Sequence, residues 1–263
     1  ISAHFYLEIT LAKKKSNNIF NNLLRVSLAI LTIGLIWISI SWVNFRGYMD
    51  INNYSYKGDI RISESEYAGL IGDITKQTHS EVDLIEIQER IEMHPYVQAT
   101  RVSHQFPSTV HIEIVEREPL AILNGDPMVF LDENYFVMPE VGNLEDLNVP
   151  ILSNYNPDPE LYPIGNKANS VKVQESIKLL QKIQNDYESL YQNISEMSLN
   201  TDDEFIIVLI DQPTKIRLGR NNIWTKLLVL KEFEIAIQGK KSLTDYAYLD
   251  MRYSNQVIAK ERL

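Results

Sequence analysis

The sequence contains no cysteine, which excludes disulfides, thiolate metal sites and a cysteine nucleophile. Basic residues are also scarce: 25 Lys and Arg stand against 35 Asp and Glu, and the net charge is −10. Phosphate binding needs a basic face, and no run of Lys or Arg occurs beyond the first 25 residues. This charge balance therefore argues against a nucleic-acid partner.

Motifs typical of enzymes and metal sites are missing as well. The five histidines are His4, His79, His94, His104 and His111, and no two of them have the i, i+4 spacing of a helical metal site. No Gly-x-Ser-x-Gly elbow and no phosphate-cradling glycine loop occurs. The sequence therefore predicts a protein that is not an enzyme and that uses neither a metal nor another cofactor.

Long uncharged runs are absent from most of the chain, with one exception near its start. Residues 26–43, VSLAILTIGLIWISISWV, are 18 residues without a charge. With Leu23 and Leu24 they approach the roughly 20 residues that cross a hydrocarbon core of ~30 Å. We predict a single transmembrane helix over residues 23–45, preceded by a cytoplasmic tail over residues 1–22.

The charges around this helix predict its orientation. Lys13, Lys14, Lys15 and Arg25 precede the apolar run, whereas acidic residues outnumber basic ones in the rest of the chain. Because flanking basic residues stay on the cytoplasmic side, we expect a cytoplasmic N-terminus and a periplasmic bulk. A cleaved signal peptide is the alternative, since residues 39–41, Ser-Ile-Ser, imitate a small-x-small cleavage site.

Short periodic segments follow the apolar run and predict the order β-α-α-β-β. Residues 51–57 have the pattern of a strand, a capping box at residues 63–66 starts a helix, and Asp83 caps a second helix. Residues 97–104 and 109–116 alternate like strands and are joined by a turn that contains a proline. These elements together predict one small α+β domain.

The remainder of the chain mixes amphipathic helices with strands. Residues 169–190 predict a helix whose apolar side chains are spaced by three or four positions, namely Val173, Ile177, Leu180, Ile183, Tyr187 and Leu190. Residues 205–210 and 215–218 predict a hairpin with one buried strand. Residues 222–238 predict a helix around Trp224, Leu227, Leu228, Leu230 and Phe233.

Residues 94–121, HPYVQATRVSHQFPSTVHIEIVEREPLA, follow the capped helix pair and resemble the POTRA domain of the FtsQ/DivIB family of bacterial division proteins. The residues in register with the family pattern are Pro95, Tyr96, Val97, Ala99, Val102, Phe106, Pro107, Glu116, Arg117, Pro119 and Ala121. Residues 128–139, MVFLDENYFVMP, and residues 248–260, YLDMRYSNQVIAK, resemble a hairpin and the terminal strand pair of the same family.

This chain departs from the family pattern in three places. Tyr96 stands where the family usually has Trp, and Asn134 stands where Gly is common in the hairpin turn. Asn is the residue that next best tolerates a left-handed conformation. A Gly is often found near Asn255 and Gln256, so the turn of the terminal strand pair is expected to differ in shape.

The resemblance implies an α+β fold in which the transmembrane helix precedes two domains. These are a β-α-α-β-β POTRA domain at residues 49–118 and a mixed α/β, strand-rich FtsQ-type β domain at residues 119–263. It also implies a divisome scaffold in the cell inner membrane, at the division septum. Its partners would be FtsB-like and FtsL-like proteins and other divisome members, and its role would be to help couple septum assembly to cell-wall synthesis.

Two other functions compete with this expectation. A membrane-anchored envelope enzyme would need a catalytic constellation after residue 120, and none is visible in the sequence. Another POTRA-type envelope assembly protein would show tandem POTRA units or alternating segments of ~10 residues that form a barrel. Only one POTRA-like unit is present in this sequence.

The resemblance places the partner site in the terminal strand pair. An alternating stretch near a chain end suits a sheet edge, and an exposed edge is a template for an added strand. The predicted partner-binding residues are Tyr248, Arg252, Tyr253, Asn255, Gln256, Val257, Ile258 and Ala259. Tyr253 is either a large anchor for the partner or a residue of its own core.

The charged triplet Glu116-Arg117-Glu118, followed by Pro119, has two interpretations. In the first, Arg117 pairs with a neighbouring carboxylate while Pro119 withholds a donor and ends the strand ladder. Glu116, Arg117 and Pro119 would then form an interdomain joint that holds the angle between two domains. In the second, the triplet is a recognition patch for a partner.

Overall fold

A computed structural model describes residues 2–47, 50–58, 61–74, 77–78, 81–140, 147–253 and 256–262. The chain forms two compact units, Ile1–Tyr56 with Ile71–Ile85 and Val102–Ile112, and Lys57–Leu70 with Glu86–Arg101 and Glu113–Leu263. The mixed α/β architecture confirms the predicted fold class. The four-part division with boundaries at residues 22, 45 and 118 stays a prediction.

The N-terminal helix α1 (Ser2–Phe45) contains the predicted apolar run. Its stretch Phe20–Val43 has 24 residues and is long and apolar enough to cross a membrane. At a rise of 1.5 Å per residue this stretch spans about 36 Å. The hydroxyls of Ser27 and Thr32 donate to the carbonyl oxygens of Leu24 and Ala29 over 2.9 and 2.8 Å, which satisfies them inside the helix.

A three-stranded sheet and two helices follow in the predicted order. The strands are β1 (Asn53–Lys57), β2 (Val97–Gln105) and β3 (Thr109–Glu116), and β3 lies between the other two. The helices α2 (Glu64–Ile71) and α3 (Leu84–Glu92) come between β1 and β2 in the chain. The side chains of Tyr67 and Ile71 on α2 and of Ile87 and Ile91 on α3 are buried, as their periodicity predicts.

A nine-stranded sheet occupies the rest of the second unit, with the order β12-β11-β10-β9-β8-β7-β4-β5-β6. Most strands pair in antiparallel fashion, while β4 with β7, β7 with β8 and β10 with β11 are parallel. The strands are β4 (Pro119–Leu123), β5 (Val129–Asp132), β6 (Val137–Pro139), β7 (Ile151–Ser153), β8 (Ile194–Leu199), β9 (Phe205–Leu209), β10 (Lys215–Gly219), β11 (Tyr246–Asp250) and β12 (Ile258–Glu261).

Three helices complete the second unit: α4 (Val171–Asp186), α5 (Glu188–Tyr191) and α6 (Ile223–Ile237). All six predicted apolar positions between residues 173 and 190 are buried in the core. The prediction of one continuous helix over 169–190 is wrong, because Tyr187 has φ −148° and separates α4 from α5. Leu228, which was predicted to be part of the α6 core, is 45% exposed, whereas Leu227 and Leu230 are buried.

Candidate functional site

Strand β12 forms one edge of the nine-stranded sheet, and its four residues are exposed. It pairs in antiparallel fashion with β11, with Tyr248 opposite Lys260, Leu249 opposite Ala259 and Asp250 opposite Ile258. Among the residues that the structure describes, no strand lies on the other side of β12. The main chain of β12 therefore presents hydrogen-bonding groups to solvent along this edge.

Two backbone hydrogen bonds show which groups of β12 point outward. Arg262 N donates to Asp245 O over 3.1 Å, so the amide of Arg262 points toward the β11 side. Met251 N donates to Arg217 O over 2.9 Å, so the amides of Met251 and Leu249 point toward β10. Because successive amides of a strand point to alternate sides, the N–H groups of Ala259 and Glu261 face the open edge.

The opposite edge of the sheet is covered by its own chain. The segment around Asn166 lies beside β6, and the carbonyl oxygen of Asn166 accepts a hydrogen bond from Val137 N over 2.8 Å. Gly165 N donates to Val137 O over 2.9 Å, and Ala168 N donates to Tyr135 O over 2.9 Å. Only the β12 edge is thus left open among the described strands of this sheet.

The face of the sheet beside β12 carries basic side chains around an aromatic ring. Tyr248 on β11 lies between Lys215 on β10 and Lys260 on β12 in the strand register. The guanidinium carbon of Arg217 lies 5.5 Å from the centre of the Tyr248 ring. Lys215, Arg217 and Lys260 are all exposed, so these three side chains present positive charge to solvent on this face of the sheet.

A charged clamp holds the turn that leads from β11 toward β12. Arg252 donates from Nε to Asp250 Oδ1 over 3.0 Å and from Nη2 to Asp250 Oδ2 over 2.7 Å. These bonds hold the pKa of Asp250 below its ordinary value and raise the pKa of Arg252. Gly219 has φ +77°, and a Cβ there would lie 3.3 Å from Cγ of Arg252. The clamp therefore fits closely against the end of β10.

The structure places seven of the eight predicted partner-binding residues in the segment from β11 to β12, and Asn255 lies outside the described residues. Tyr253 is 50% exposed and Ile258 is 43% exposed. Gln256 and Ala259 are also exposed, whereas Val257 packs against the core of the second unit. The assignment of these residues to partner binding stays a prediction.

Glu116, in the charged triplet, points its carboxylate into the protein. Its Oε2 accepts a hydrogen bond from Arg61 N over 2.8 Å. Its Oε1 accepts from Ile62 N over 3.2 Å and from Tyr67 OH over 2.6 Å. Burial and the hydrogen bond to Glu116 raise the pKa of Tyr67. Glu116 therefore ties the end of β3 to the segment that enters α2.

Arg117 extends in another direction and contacts three residues on two segments, the start of β2 and the β5–β6 hairpin. Its backbone N donates to Tyr96 O over 2.7 Å, and its Nη1 donates to Asp132 Oδ2 over 2.9 Å. Its guanidinium carbon lies 3.7 Å from the centre of the Phe136 ring. Asp132 Oδ1 accepts from the backbone N of Asn134 and Phe136 over 2.8 and 2.7 Å. Arg117 and Asp132 thus link the end of β3 to the β5–β6 hairpin.

Pro119 and Tyr96 add two more contacts in the same region. Pro119 is the first residue of β4 and lies opposite Asp132 in the register with β5. The hydroxyl of Tyr96 donates to Pro139 O over 2.7 Å. The role of Glu116, Arg117 and Pro119 as an interdomain joint stays a prediction, and so does the alternative of a recognition patch.

Several residues of these regions were not singled out in the sequence. Asp132 entered the sequence analysis only as part of a hairpin motif, although an acid directly after the apolar residues 129–131 could have marked it as a partner for Arg117. Lys215 and Arg217 were missed on β10, although basic residues two positions apart on a strand share one face. Within the described part of the chain, no group of three or more His, Asp or Glu could hold a metal ion.

Comparison with protein-family models gives two matches that together span most of the chain. Residues 57–117 match the model of the POTRA domain, FtsQ-type. Residues 118–260, more than half of the chain, match the model of the FtsQ/DivIB, C-terminal related domain. The two matches meet at the charged triplet.

Curated proteins from several bacteria are similar to the chain over most of its length. A protein of Syntrophotalea carbinolica is 25% identical over 214 residues, which cover 81% of this chain and 74% of the relative. A protein of Neisseria meningitidis is 22% identical over 244 residues, which cover 89% of each chain. A protein of Haemophilus influenzae is 28% identical over 176 residues, covering 65% of this chain and 61% of the relative. All three are named Cell division protein FtsQ.

Proposed function

The chain belongs to the FtsQ/DivIB family, and we propose that it is a membrane-anchored scaffold of the division machinery that binds other division proteins. The family consists of non-enzymatic division proteins, and its FtsQ-type POTRA and C-terminal domains match residues 57–117 and 118–260. Helix α1 supplies a single apolar stretch that fits membrane anchoring. In this proposal the chain acts at the division septum by holding partners together, without catalysing a reaction.

The proposed orientation has the N-terminus in the cytoplasm and the two domains in the periplasm. The basic residues Lys13, Lys14, Lys15 and Arg25 before the apolar stretch support it, because such residues are retained on the cytoplasmic side. This arrangement places the open β12 edge in the periplasm, where the outer segments of other single-pass division proteins are accessible.

The observation that carries the proposal is the open edge of β12. An edge strand with outward-facing amides at Ala259 and Glu261 can accept a strand from another protein by main-chain hydrogen bonds. The opposite edge is covered by the segment 165–168, so partner addition there would require displacement of the chain itself. We assign β12 to an FtsB-like partner, which brings an FtsL-like protein and thereby the machinery of septal cell-wall synthesis.

The side chains around β12 add specificity to this main-chain recognition. The exposed ring of Tyr253 supplies an amphipathic surface of the kind that anchors protein interfaces. Lys260 on β12, with Lys215 and Arg217 farther along the same face of the sheet, favours acidic residues on that face of the added strand. The predicted partner is thus an extended segment that combines an apolar contact with negative charge.

Site-specific photo-crosslinking of the full chain in its own membrane tests the proposal. A photoreactive residue at Ile258 should crosslink to an FtsB-like protein, whereas the same residue at Lys167, which lies on the covered β6 edge, should not. Mass spectrometry of the crosslinked product identifies the partner and the residues joined. A product of equal yield at both positions, or no division protein at Ile258, would contradict the proposed edge.

A further inference from the structure

A second concave site lies at the β4–β5 turn, and five strands separate β4 from β12 in the order of the sheet. The pocket has a volume of about 290 Å³. Two segments line it, the turn at residues 123–129 and the segment 155–164 that follows β7. This pocket shares no residue with the proposed partner edge or with the charged triplet.

Most of the pocket wall consists of tyrosine rings, prolines and aliphatic side chains, and its polar side chains are those of Asn124, Asp126 and Asn156. The hydroxyls of both tyrosines are already bonded within the protein: Tyr155 OH lies 2.6 Å from Ser176 Oγ, and Tyr162 OH donates to Asn156 O over 2.7 Å. Burial raises the pKa of both tyrosines, so they stay neutral. A ligand therefore meets their rings, with Leu123 and Val129 beside them, while both tyrosine hydroxyls keep their partners within the protein.

The pocket is held in shape by prolines and local hydrogen bonds. Four lining residues are proline, Pro127, Pro157, Pro159 and Pro163. Asp158 Oδ1 accepts from Glu160 N over 3.0 Å, Leu161 N donates to Asp158 O over 3.0 Å, and Asn169 Nδ2 donates to Glu160 O over 3.1 Å. A pocket that is formed before binding loses little conformational entropy when a ligand enters.

The two segments that line the pocket carry charges of one sign only. Residues 118–166 contain nine acidic residues and no Lys or Arg. Of these acids, Asp126 lines the pocket, and Asp158 and Glu160 flank the lining residue Pro159; all three are exposed. A ligand that places a cation beside the pocket is favoured electrostatically, and an anionic ligand is disfavoured.

We propose that this pocket binds a proline-containing segment of another envelope protein, with a flanking Arg or Lys that meets the acidic rim. The volume lies at the lower limit of small-molecule sites, about 300 Å³, and suits one or two side chains. Proline fits a wall that is mostly apolar, because it has no backbone N–H to satisfy. Extended proline-rich segments also pack well in grooves lined by aromatic rings.

Fluorescence anisotropy with the full chain in nanodiscs of zwitterionic lipid tests this proposal. The probes are a labelled synthetic peptide with a Leu-Pro pair flanked by arginines and a twin peptide with glutamates in place of the arginines. We expect the arginine peptide to bind at least about tenfold more tightly than its twin. Ile164→Lys places a positive charge at the pocket mouth, where Ile164 is 47% exposed, and should weaken binding of the arginine peptide by about tenfold or more, because like charges repel.

Two control variants keep this test separate from the proposed function. Ile235→Lys makes the same change at an isoleucine of α6 that is 54% exposed and outside the pocket, and this variant should bind the arginine peptide normally. Ala259→Pro, which alters the β12 edge, should also leave peptide binding unchanged. The proposal is overturned if the arginine peptide does not bind at about 1 mM, the weakest affinity of interest. Equal binding of the twin peptide, or unchanged binding of the arginine peptide by Ile164→Lys, would overturn it as well.

Discussion

Arg117 donates a hydrogen bond from Nη1 to Asp132 Oδ2 over 2.9 Å, and the two side chains are 14% and 4% exposed. Most ion pairs on protein surfaces contribute little, but a pair that is largely withdrawn from water costs free energy when one partner is removed. The ring of Phe136 covers the Arg117 guanidinium, and the backbone of the β5–β6 hairpin binds the other oxygen of Asp132. The pair therefore belongs to a connected network.

We expect Arg117→Met and Asp132→Asn to show strong energetic coupling in a double-mutant cycle. Methionine keeps an unbranched apolar chain beside Phe136 while it removes the charge, and asparagine keeps an oxygen for the hairpin amides. The coupling should be about 1–3 kcal/mol, because the residues are in direct contact within one network. Denaturant unfolding of the full chain in detergent measures the free energy of unfolding for the four proteins.

The exposed pair Lys172 and Glu175 on α4 is the matched control for this cycle. Its side chains are 37% and 47% exposed, and Lys172→Met with Glu175→Gln should couple by no more than about 0.5 kcal/mol. If Arg117 and Asp132 couple as weakly as this control pair while their variants lose partner binding, the recognition-patch interpretation of the triplet is favoured over the joint.

The buried carboxylate of Glu116 accepts three hydrogen bonds, and a second prediction follows from this. Glu116→Gln replaces one acceptor oxygen by a donor that would face existing donors, and should cost about 2 kcal/mol of unfolding free energy. Tyr67→Phe removes one donor and should cost about 1 kcal/mol. Glu118→Gln, two positions along and exposed, should change stability by less than about 0.5 kcal/mol. Equal effects at residues 116 and 118 would contradict the buried role.

Local patterns in the sequence were sufficient for most of the elements. Strand β3 occupies residues 109–116 as its alternation predicts, and β2 extends one residue beyond the predicted 97–104. Strand β1 begins at Asn53, later than the predicted residue 51. Ile51 is buried, but it lies in an irregular segment, and its backbone N donates to Gln77 O over 2.9 Å. Side-chain periodicity reports burial on one face, but it does not show where a backbone ladder begins.

The order of the nine-stranded sheet could not be predicted from such patterns. Strand β7 has only three residues, Ile151–Ser153, and it joins β4 to β8 by parallel pairing across long stretches of chain. No short turn connects β7 to β4 or to β8, so the position of β7 in the sheet depends on long-range packing. For the same reason, the sequence predicts only that Arg117 pairs with a neighbouring carboxylate. The folded structure is needed to identify that carboxylate as Asp132.

The clamp between Asp250 and Arg252 predicts a dependence of stability on pH. The pKa of Asp250 is lowered by its hydrogen bonds to Arg252, so the ionised carboxylate stabilises the folded chain above its unfolded pKa of about 3.9. This stabilisation is lost as the pH falls through the lowered pKa of the folded state. Asp250→Asn should therefore reduce Tm at pH 6, and its difference from the unmodified chain should shrink toward pH 3.

Thermal unfolding of the full chain in detergent at several pH values checks this expectation. Asp211→Asn is a suitable control, because Asp211 is an exposed acid in the turn between β9 and β10. It should leave Tm nearly unchanged across the same range. A difference between Asp250→Asn and the unmodified chain that stays constant from pH 6 to pH 3 would show that the ionised clamp does not contribute.

The direction of the amides in β12 allows a sharper test of the partner edge than removal of a side chain. Ala259→Pro deletes an N–H that faces the open edge, and proline is tolerated at such positions of edge strands. Lys260→Pro, one position along, deletes an N–H that faces β11. The two substitutions are chemically alike, yet they should affect different properties of the protein.

We expect Ala259→Pro to weaken capture of the FtsB-like partner by about tenfold or more while Tm changes little, because only the intermolecular ladder loses a donor. Lys260→Pro should lower Tm, because it removes a hydrogen bond within the sheet. Ala259→Val keeps the N–H and should bind the partner normally. Tyr253→Ala should lower affinity by about thirtyfold if its exposed ring is an anchor. Quantitative pull-down measures partner affinity, and thermal unfolding measures Tm, for each variant.

Since Ala259 and Lys260 are neighbours in one strand, equal loss of partner capture by both proline variants at equal Tm would show that the direction of the amides is irrelevant. The partner would then bind through side chains elsewhere, and strand addition at β12 would be wrong.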